Sequence, residues 1–358
     1  MLTAKVAIKH GNGNLTIDII TVWPQLQDEV LVEIKAAGVC HTDYQDMSRG
    51  ISCILGHEGA GAIFAAGAGV THVQPGDYVL LNWATNCGEC FQCQRGNYSI
   101  CENRRWVPNE RSLCQVKGIE RAFYLGTMST YTVVAKQVVN KINAPISCLS
   151  AAIVDCGVMT GYGSVVNVAK VEPGTNVVVI GAGGVGLKIV KGARIAGAER
   201  IIVIDINPTK LEMTKHFGAT DLILANKADT GLLHAVEKVK GLTDGSGADY
   251  AFEATAVPAL GAAPLAMIRN AGVAVQTSGV EEELTINMRL FEWDKVYINP
   301  RYGMCRPEND FPRLFQLYKK SDSLLDELIT QTYRLEELPQ AFNDMLTGIN
   351  AKGVLVME

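Results

Sequence analysis

Four cysteines fall within fifteen residues, as Cys87-x-x-Cys90-x-x-Cys93 followed by Cys101. Four thiolates so close along the chain can surround one Zn²⁺ tetrahedrally at about 2.3 Å, leaving no coordination position for a substrate. Such a closed site contributes folding energy rather than chemistry. An iron–sulfur cluster or disulfides are the alternatives, the latter disfavoured in a reducing compartment. A second pattern begins where Asn176-Val-Val-Val-Ile180 runs into Gly181-Ala-Gly-Gly-Val-Gly186. Gly181 permits a tight turn, Gly183, with Gly184 beside it, lets the backbone approach a pyrophosphate, and Gly186 allows close helix–strand packing. The helix N-terminus behind the turn offers unpaired N–H groups to phosphates. Asp205 ends the next apolar run, Ile201-Ile-Val-Ile-Asp205, at the spacing of about 20 residues expected of a ribose-binding acid. Its carboxylate would repel a 2′-phosphate, which favours NAD over NADP. A glycine-rich turn without a ligand is the alternative. Cys40, His57 and Cys156 offer two thiolates and an imidazole, a set that leaves a fourth position open as catalytic zinc requires. Spacing alone does not join them, because a buried cysteine is more often a small apolar core residue.

These residues need two kinds of scaffold. Up to about residue 157 the chain reads as short strands and Gly-rich turns, such as Val30–Ile34, Gly59–Ile63, Pro75–Leu81 and Tyr131–Val134, which suggests a β-barrel-like module. From about 176, strand candidates (Asn176–Ile180, Arg200–Asp205, Asp221–Leu224, Ala248–Glu253, Gly272–Thr277) alternate with helical segments (Val185–Ala196, Pro208–Phe217, Gly231–Lys240). That alternation predicts an α/β, doubly wound parallel sheet covered on both faces. Asn207 is placed to cap the second helix, with Pro208 in its first turn. The length of 358 residues also favours about two domains. A composition with 48% hydrophobic and 19% charged residues fits a globular core, and a net charge of −5 argues against a nucleic-acid partner. No apolar run reaches the ~18 residues needed to cross a bilayer, and the alternating start Ala4–Lys9 lacks a signal peptide's apolar block. The expectation is a soluble, cytoplasmic protein with no membrane partner.

Over nearly its whole length the sequence resembles the zinc-dependent medium-chain alcohol dehydrogenases, near their aryl- and benzyl-alcohol and glutathione-dependent formaldehyde dehydrogenase branch. The resemblance runs through Gly38-Val-Cys-His-Thr-Asp43, Gly56-His-Glu-Gly-Ala-Gly61, the four-cysteine lobe, Cys156-Gly-Val-Met-Thr-Gly-Tyr-Gly163 and the Gly181–Gly186 turn. It implies a GroES-like catalytic domain over residues 1–157 and 299–358, and a NAD-binding Rossmann domain over 158–298. It implies two zinc ions per chain. Cys40, His57 and Cys156 would bind the catalytic ion, with Glu58 in transient reach of it, and Cys87, Cys90, Cys93 and Cys101 the structural one. Asp43 would orient His57, and Thr42 would accept the alcohol's proton. Where many relatives carry a relay histidine this chain has Gln45, so the proton would leave through water or another group. For NAD, His41 would face the pyrophosphate, Lys210 the adenosine ribose and Lys352 the phosphates. Thr160 and Val185 would pack behind the nicotinamide, and Val280 would meet its carboxamide through the backbone.

The same resemblance places Trp83, Leu125 and Met159 in the substrate pocket, which suits a bulky, aromatic or terpenoid primary alcohol, oxidised reversibly to its aldehyde. The alternatives are a glutathione-dependent formaldehyde dehydrogenase, for which Arg105 is positioned like that group's anion-binding arginine, and a non-catalytic NAD-binding structural member. Partners are a small-molecule alcohol or aldehyde and a second copy in a homodimer or homotetramer, although Tyr297–Tyr302 departs from the small-residue strand that often joins subunits in the family.

Overall fold

Strand Glu29–Gly38 organises the first part of the chain, because it is paired along both edges. On one edge it pairs antiparallel with Gly59–Ala66. On the other, Tyr131–Ala135 pairs with its first half and Gly353–Val356 with its second, aligning Val354 with Gly38. Val30, Val32 and Ile34 alternate into a core shared with Leu55, Leu81, Leu125, Phe342 and Leu355. The alternating start becomes strand Thr3–Lys9, paired with Leu15–Thr21 in a separate four-stranded sheet. The computed structural model describes residues 2–103, 119–280, 282–320 and 324–358. It divides into two compact units, Met1–Cys156 with Arg306–Glu358, and Gly157–Cys305.

The second unit is built on six parallel strands in the order Asp221–Leu224, Arg200–Asp205, Asn176–Ile180, Ala248–Glu253, Ile268–Gln276, Val296–Ile298. This is the doubly wound Rossmann order, with the first strand central and the direction of winding reversed beside it. Val177–Val179 and Ile201–Val203 are fully buried, as continuous β-branched runs covered on both faces should be. Helix Gly184–Ala196 follows the glycine turn directly and ends at Gly197 in a left-handed cap. Helix Pro208–Phe217 starts as expected, the Asn207 side chain accepting from the amides of Thr209 and Lys210. The sixth strand, Val296–Ile298, was not foreseen. Two of its three residues, Tyr297 and Ile298, lie within the segment that departs from the family pattern.

One expectation is corrected. The helical run Cys148–Ala169 is long and apolar enough to cross a membrane by length and composition. However, 78% of its most apolar stretch is buried in the protein, as in a core helix. Turns of π-helix at Val154–Val158 and Ser164–Ala169 interrupt the run. Such turns recur at functional sites because the extra residue redirects side chains; the first of them carries Cys156.

Candidate metal centres and dinucleotide turn

Strand pairing and helix starts bring distant residues of the first unit together. Cys40 caps the short helix His41–Asp46, which follows strand Glu29–Gly38. His57 and Glu58 immediately precede the neighbouring strand Gly59–Ala66, and Cys156 lies in the π-turn. One ligand atom from each of Cys40, His57, Glu58 and Cys156 lies within 4.8 Å of the others. His57 Nδ1 lies 3.0 Å from Asp43 Oδ1, both residues buried. The carboxylate thus fixes the imidazole with Nε2 free to face a cation, as the resemblance implies. Thr42 Oγ1 is 3.7 Å from Cys40 Sγ, and Gln45 is exposed on the same helix.

The donors sit in a strongly coupled field. The hydrogen bond from the Cys156 thiol holds Cys40 well below the ordinary thiol range, and the same bond together with burial drives Cys156 well above it. Burial opposes the His57 imidazolium, but the Asp43 charge and hydrogen bond, with Cys40, lift its pKa well above the usual value. A cation entering this set must therefore displace protons from Cys156 and His57, the behaviour expected of thiolate and imidazole ligands. The set fits zinc.

Lys352 is held inside the first unit. The resemblance sends it to the phosphates, but here its ammonium is buried, donating to Glu58 Oε1 at 2.7 Å and to the Val39 carbonyl at 2.9 Å. The pairing of Gly353–Val356 with the end of strand Glu29–Gly38 delivers it there. Leu125 and Met159 are the other residues expected at the pocket. Both are 0% exposed, Leu125 within the first unit's core and Met159 packed against Gly163 and Gly303. Trp83 is half-buried and meets His57 edge-on at 6.4 Å.

Sequence reasoning missed two residues. The Phe123 ring lies tilted 4.9 Å from His57 and edge-on 5.4 Å from Trp83. Its φ of 51° is costly for a bulky side chain, and nothing in the local pattern foretells it. Asp155 is fully buried with neither carboxylate oxygen hydrogen-bonded among the described residues, and burial followed by the Glu58 charge pushes its carboxyl well above the ordinary range. The Asp-Cys dipeptide was its only signal.

The four-cysteine lobe forms as expected. Cys87, Cys90, Cys93 and Cys101 converge within 4.8 Å. The Cys87–Cys93 and Cys90–Cys101 sulfurs lie 4.0 and 3.8 Å apart, near the edge of about 3.8 Å for a tetrahedron with 2.3 Å metal–sulfur bonds. Amides of Cys90, Cys93 and Cys87 point at the sulfurs of Cys87, Cys90 and Cys101. The Cys93 amide draws the Cys90 thiol down to about 6, while burial pushes Cys93 up to about 12. No disulfide joins the described cysteines. This set also fits zinc.

In the second unit, Gly181 has φ of 100°, a turn that only glycine enters easily. A Cβ on Gly186 would lie 1.8 Å from the Gly181 carbonyl oxygen, so helix and turn touch there. Gly183 has open space where its Cβ would be, as an approaching pyrophosphate requires. Asp205 accepts from the amides of Ala182 and Asn207 at 2.7 and 2.8 Å, which ties the turn to the acid. Gly184 and Val185 open the helix, and Gly161, beside Thr160, packs against the Val185 backbone. Lys210 lies in the first turn of the next helix. Val280 is half-buried after the fifth strand, and His41 is exposed. Arg105 lies outside the described residues.

Residues 26–144 match the family described as alcohol dehydrogenase GroES-like domain, and residues 184–320 that described as zinc-binding dehydrogenase. The chain is 34% identical to the class-3 alcohol dehydrogenase of Drosophila melanogaster, covering 99% of this chain and 98% of that protein. It is also 34% identical to an S-(hydroxymethyl)glutathione dehydrogenase of Synechocystis, covering 98% of each. Among solved structures it is similar to the benzyl alcohol dehydrogenase of Acinetobacter calcoaceticus, with a TM-score of 0.90, 27% identity and full coverage of both chains.

Proposed function

Given that this chain belongs to the zinc-dependent medium-chain alcohol dehydrogenases, we propose that its substrate is a bulky, flat primary alcohol, oxidised reversibly to the aldehyde with NAD. The observation that supports this substrate class is the pair of aromatic rings, Trp83 and Phe123, packed together beside His57. Cys40, His57 and Cys156 would hold the catalytic zinc and the four-cysteine lobe the structural one. Zinc held there supplies a Lewis acid, and NAD supplies the hydride acceptor. Asp43 keeps the His57 ring oriented, and Thr42 Oγ1 takes the hydroxyl proton. Gln45 cannot ionise, so the proton passes from Thr42 to water. Glu58 lies among the ligand atoms, with Lys352 holding its charge. The Trp83 and Phe123 rings exclude water and orient a flat substrate.

A panel of benzyl alcohol, longer terpenoid alcohols and ethanol, assayed with NAD alongside metal analysis, tests this reading. Burying a ring is worth about 2–3 kcal/mol. The kcat/KM for benzyl alcohol should therefore exceed that for ethanol by at least about 30-fold, with two zinc ions per chain. Equal rates on ethanol and benzyl alcohol would overturn the substrate class. The second reading, favoured by relatives named S-(hydroxymethyl)glutathione dehydrogenase, predicts instead that formaldehyde is oxidised only when glutathione is added.

Cofactor choice gives a separate expectation. Asp205→Ala removes the charge facing a 2′-phosphate. Opposite or like charges about 4 Å apart interact by at most about 4 kcal/mol at the effective dielectric of a protein surface. The preference for NAD over NADP, measured as the ratio of kcat/KM values, should fall by at least about tenfold. An unchanged ratio would assign Asp205 to the turn alone.

A further inference from the structure

We propose that Glu253 is a positioning residue for the dinucleotide, a single buried carboxylate that shapes both loops beside the glycine turn. The proposal rests on the NAD reading above. Glu253 ends the strand Ala248–Glu253, in register with Ile180 on one side and Gln276 on the other. In open parallel sheets ligands bind outside the carboxyl ends of the strands where the order reverses, and these strands flank that point.

The side chain is 0% exposed, and no ion pair reaches it among the described residues. Its charge is met by hydrogen-bond donors instead. Oε1 accepts from the Thr255 amide at 2.6 Å and from the Thr255 hydroxyl. Oε2 accepts from Gln276 Nε2 at 2.6 Å and from the Ser278 hydroxyl. Those four bonds fill the roughly four acceptor positions of a carboxylate.

Gln276 ends its strand, whereas the Thr255 and Ser278 donors belong to two different loops. Thr255 Oγ1 accepts from the Val257 amide at 3.1 Å, and Ser278 Oγ from the Ala256 amide at 3.0 Å, so the segments 254–257 and 277–279 are laced through one side chain. The Gln276 carbonyl is placed 3.0 Å from the Tyr297 hydroxyl on the edge strand, which fixes which end of the amide faces Glu253. Thr255 sits close against the glycine turn, since a Cβ on Gly181 would lie 2.9 Å from Thr255 Cγ2. The core beneath is already closed by Phe252 and Val275, both fully buried. The network lies above that core and leads to the loops. An amide at position 253 would turn a donor toward the Thr255, Gln276 and Ser278 donors and release one loop.

Isothermal titration of NADH into the zinc-loaded protein tests this, run on the wild type, Glu253→Gln, Ser278→Ala and Tyr297→Phe with their melting temperatures. The Kd for NADH should rise about tenfold or more in Glu253→Gln and about three- to tenfold in Ser278→Ala, in line with losing bonds to a charged acceptor. Tyr297→Phe should raise it about twofold, while the KM for alcohol stays within twofold in all three. If Glu253→Gln does not fold, the two milder variants decide. Folded variants that melt lower but bind NADH as tightly as the wild type overturn the positioning role. A wild type that binds no NADH overturns the NAD reading itself.

Discussion

Cys156→Ala is expected to lower kcat/KM for the alcohol by at least about 10³-fold and to reduce the metal content from two ions per chain to one. Cys156 is one of the three side chains, with Cys40 and His57, proposed to hold the catalytic ion, and it is carried there by the π-turn. A Lewis acid is worth several kcal/mol of charge stabilisation. Each 1.36 kcal/mol is a tenfold change in rate, so losing the ion must cost orders of magnitude. The Kd for NADH should stay within about threefold, because Gly181–Gly186 and Asp205 belong to the other unit. Full turnover with one ion per chain would show that this cluster is not the chemical centre.

Cys93→Ala should act on stability instead. Cys93 is 3% exposed and Cys101 2%, so the lobe folds around its sulfurs rather than presenting them. Structural zinc contributes about 10 kcal/mol in isolated peptides. Retaining only half of that in the folded protein still means about 5 kcal/mol, or a fall in Tm of about 10–20 °C. Activity per folded molecule at low temperature should change little. A variant that keeps both ions and the wild-type Tm would remove the structural role from the lobe.

These two sites differ in how readily they are read from sequence. The cysteine lobe and the glycine turn are local, because the spacing along the chain is itself the geometry: two-residue gaps place sulfurs on one knuckle, and a strand ending in glycines leaves little else to form. The set of Cys40, His57 and Cys156 depends on which strands pair and where a helix loosens into a π-turn, and neither is visible as periodicity. The surroundings of Lys352 are hidden for the same reason. Its position follows from the alignment of Val354 with Gly38, which leaves no trace in its own neighbourhood. Leu125 and Met159 show another limit, since an apolar residue at a pocket position and one in the core look identical in sequence. Glu253 and Gln276 went unremarked because polar residues ending apolar strands usually face solvent, and here they face each other.

The strand Gly353–Val356 completes a unit whose earlier portion is made nearly two hundred residues before it. On the ribosome, the segment Gly157–Cys305 can therefore finish folding while the edge of Glu29–Gly38 still lacks a partner. A nascent chain at that stage exposes an open strand edge, the feature most prone to stray pairing. It also buries Glu58 without the ammonium of Lys352, and leaving one partner of a buried ion pair alone costs about 3–5 kcal/mol. Late synthesis thus governs early structure, and chains truncated ahead of this strand should be the ones that chaperones and proteases meet first.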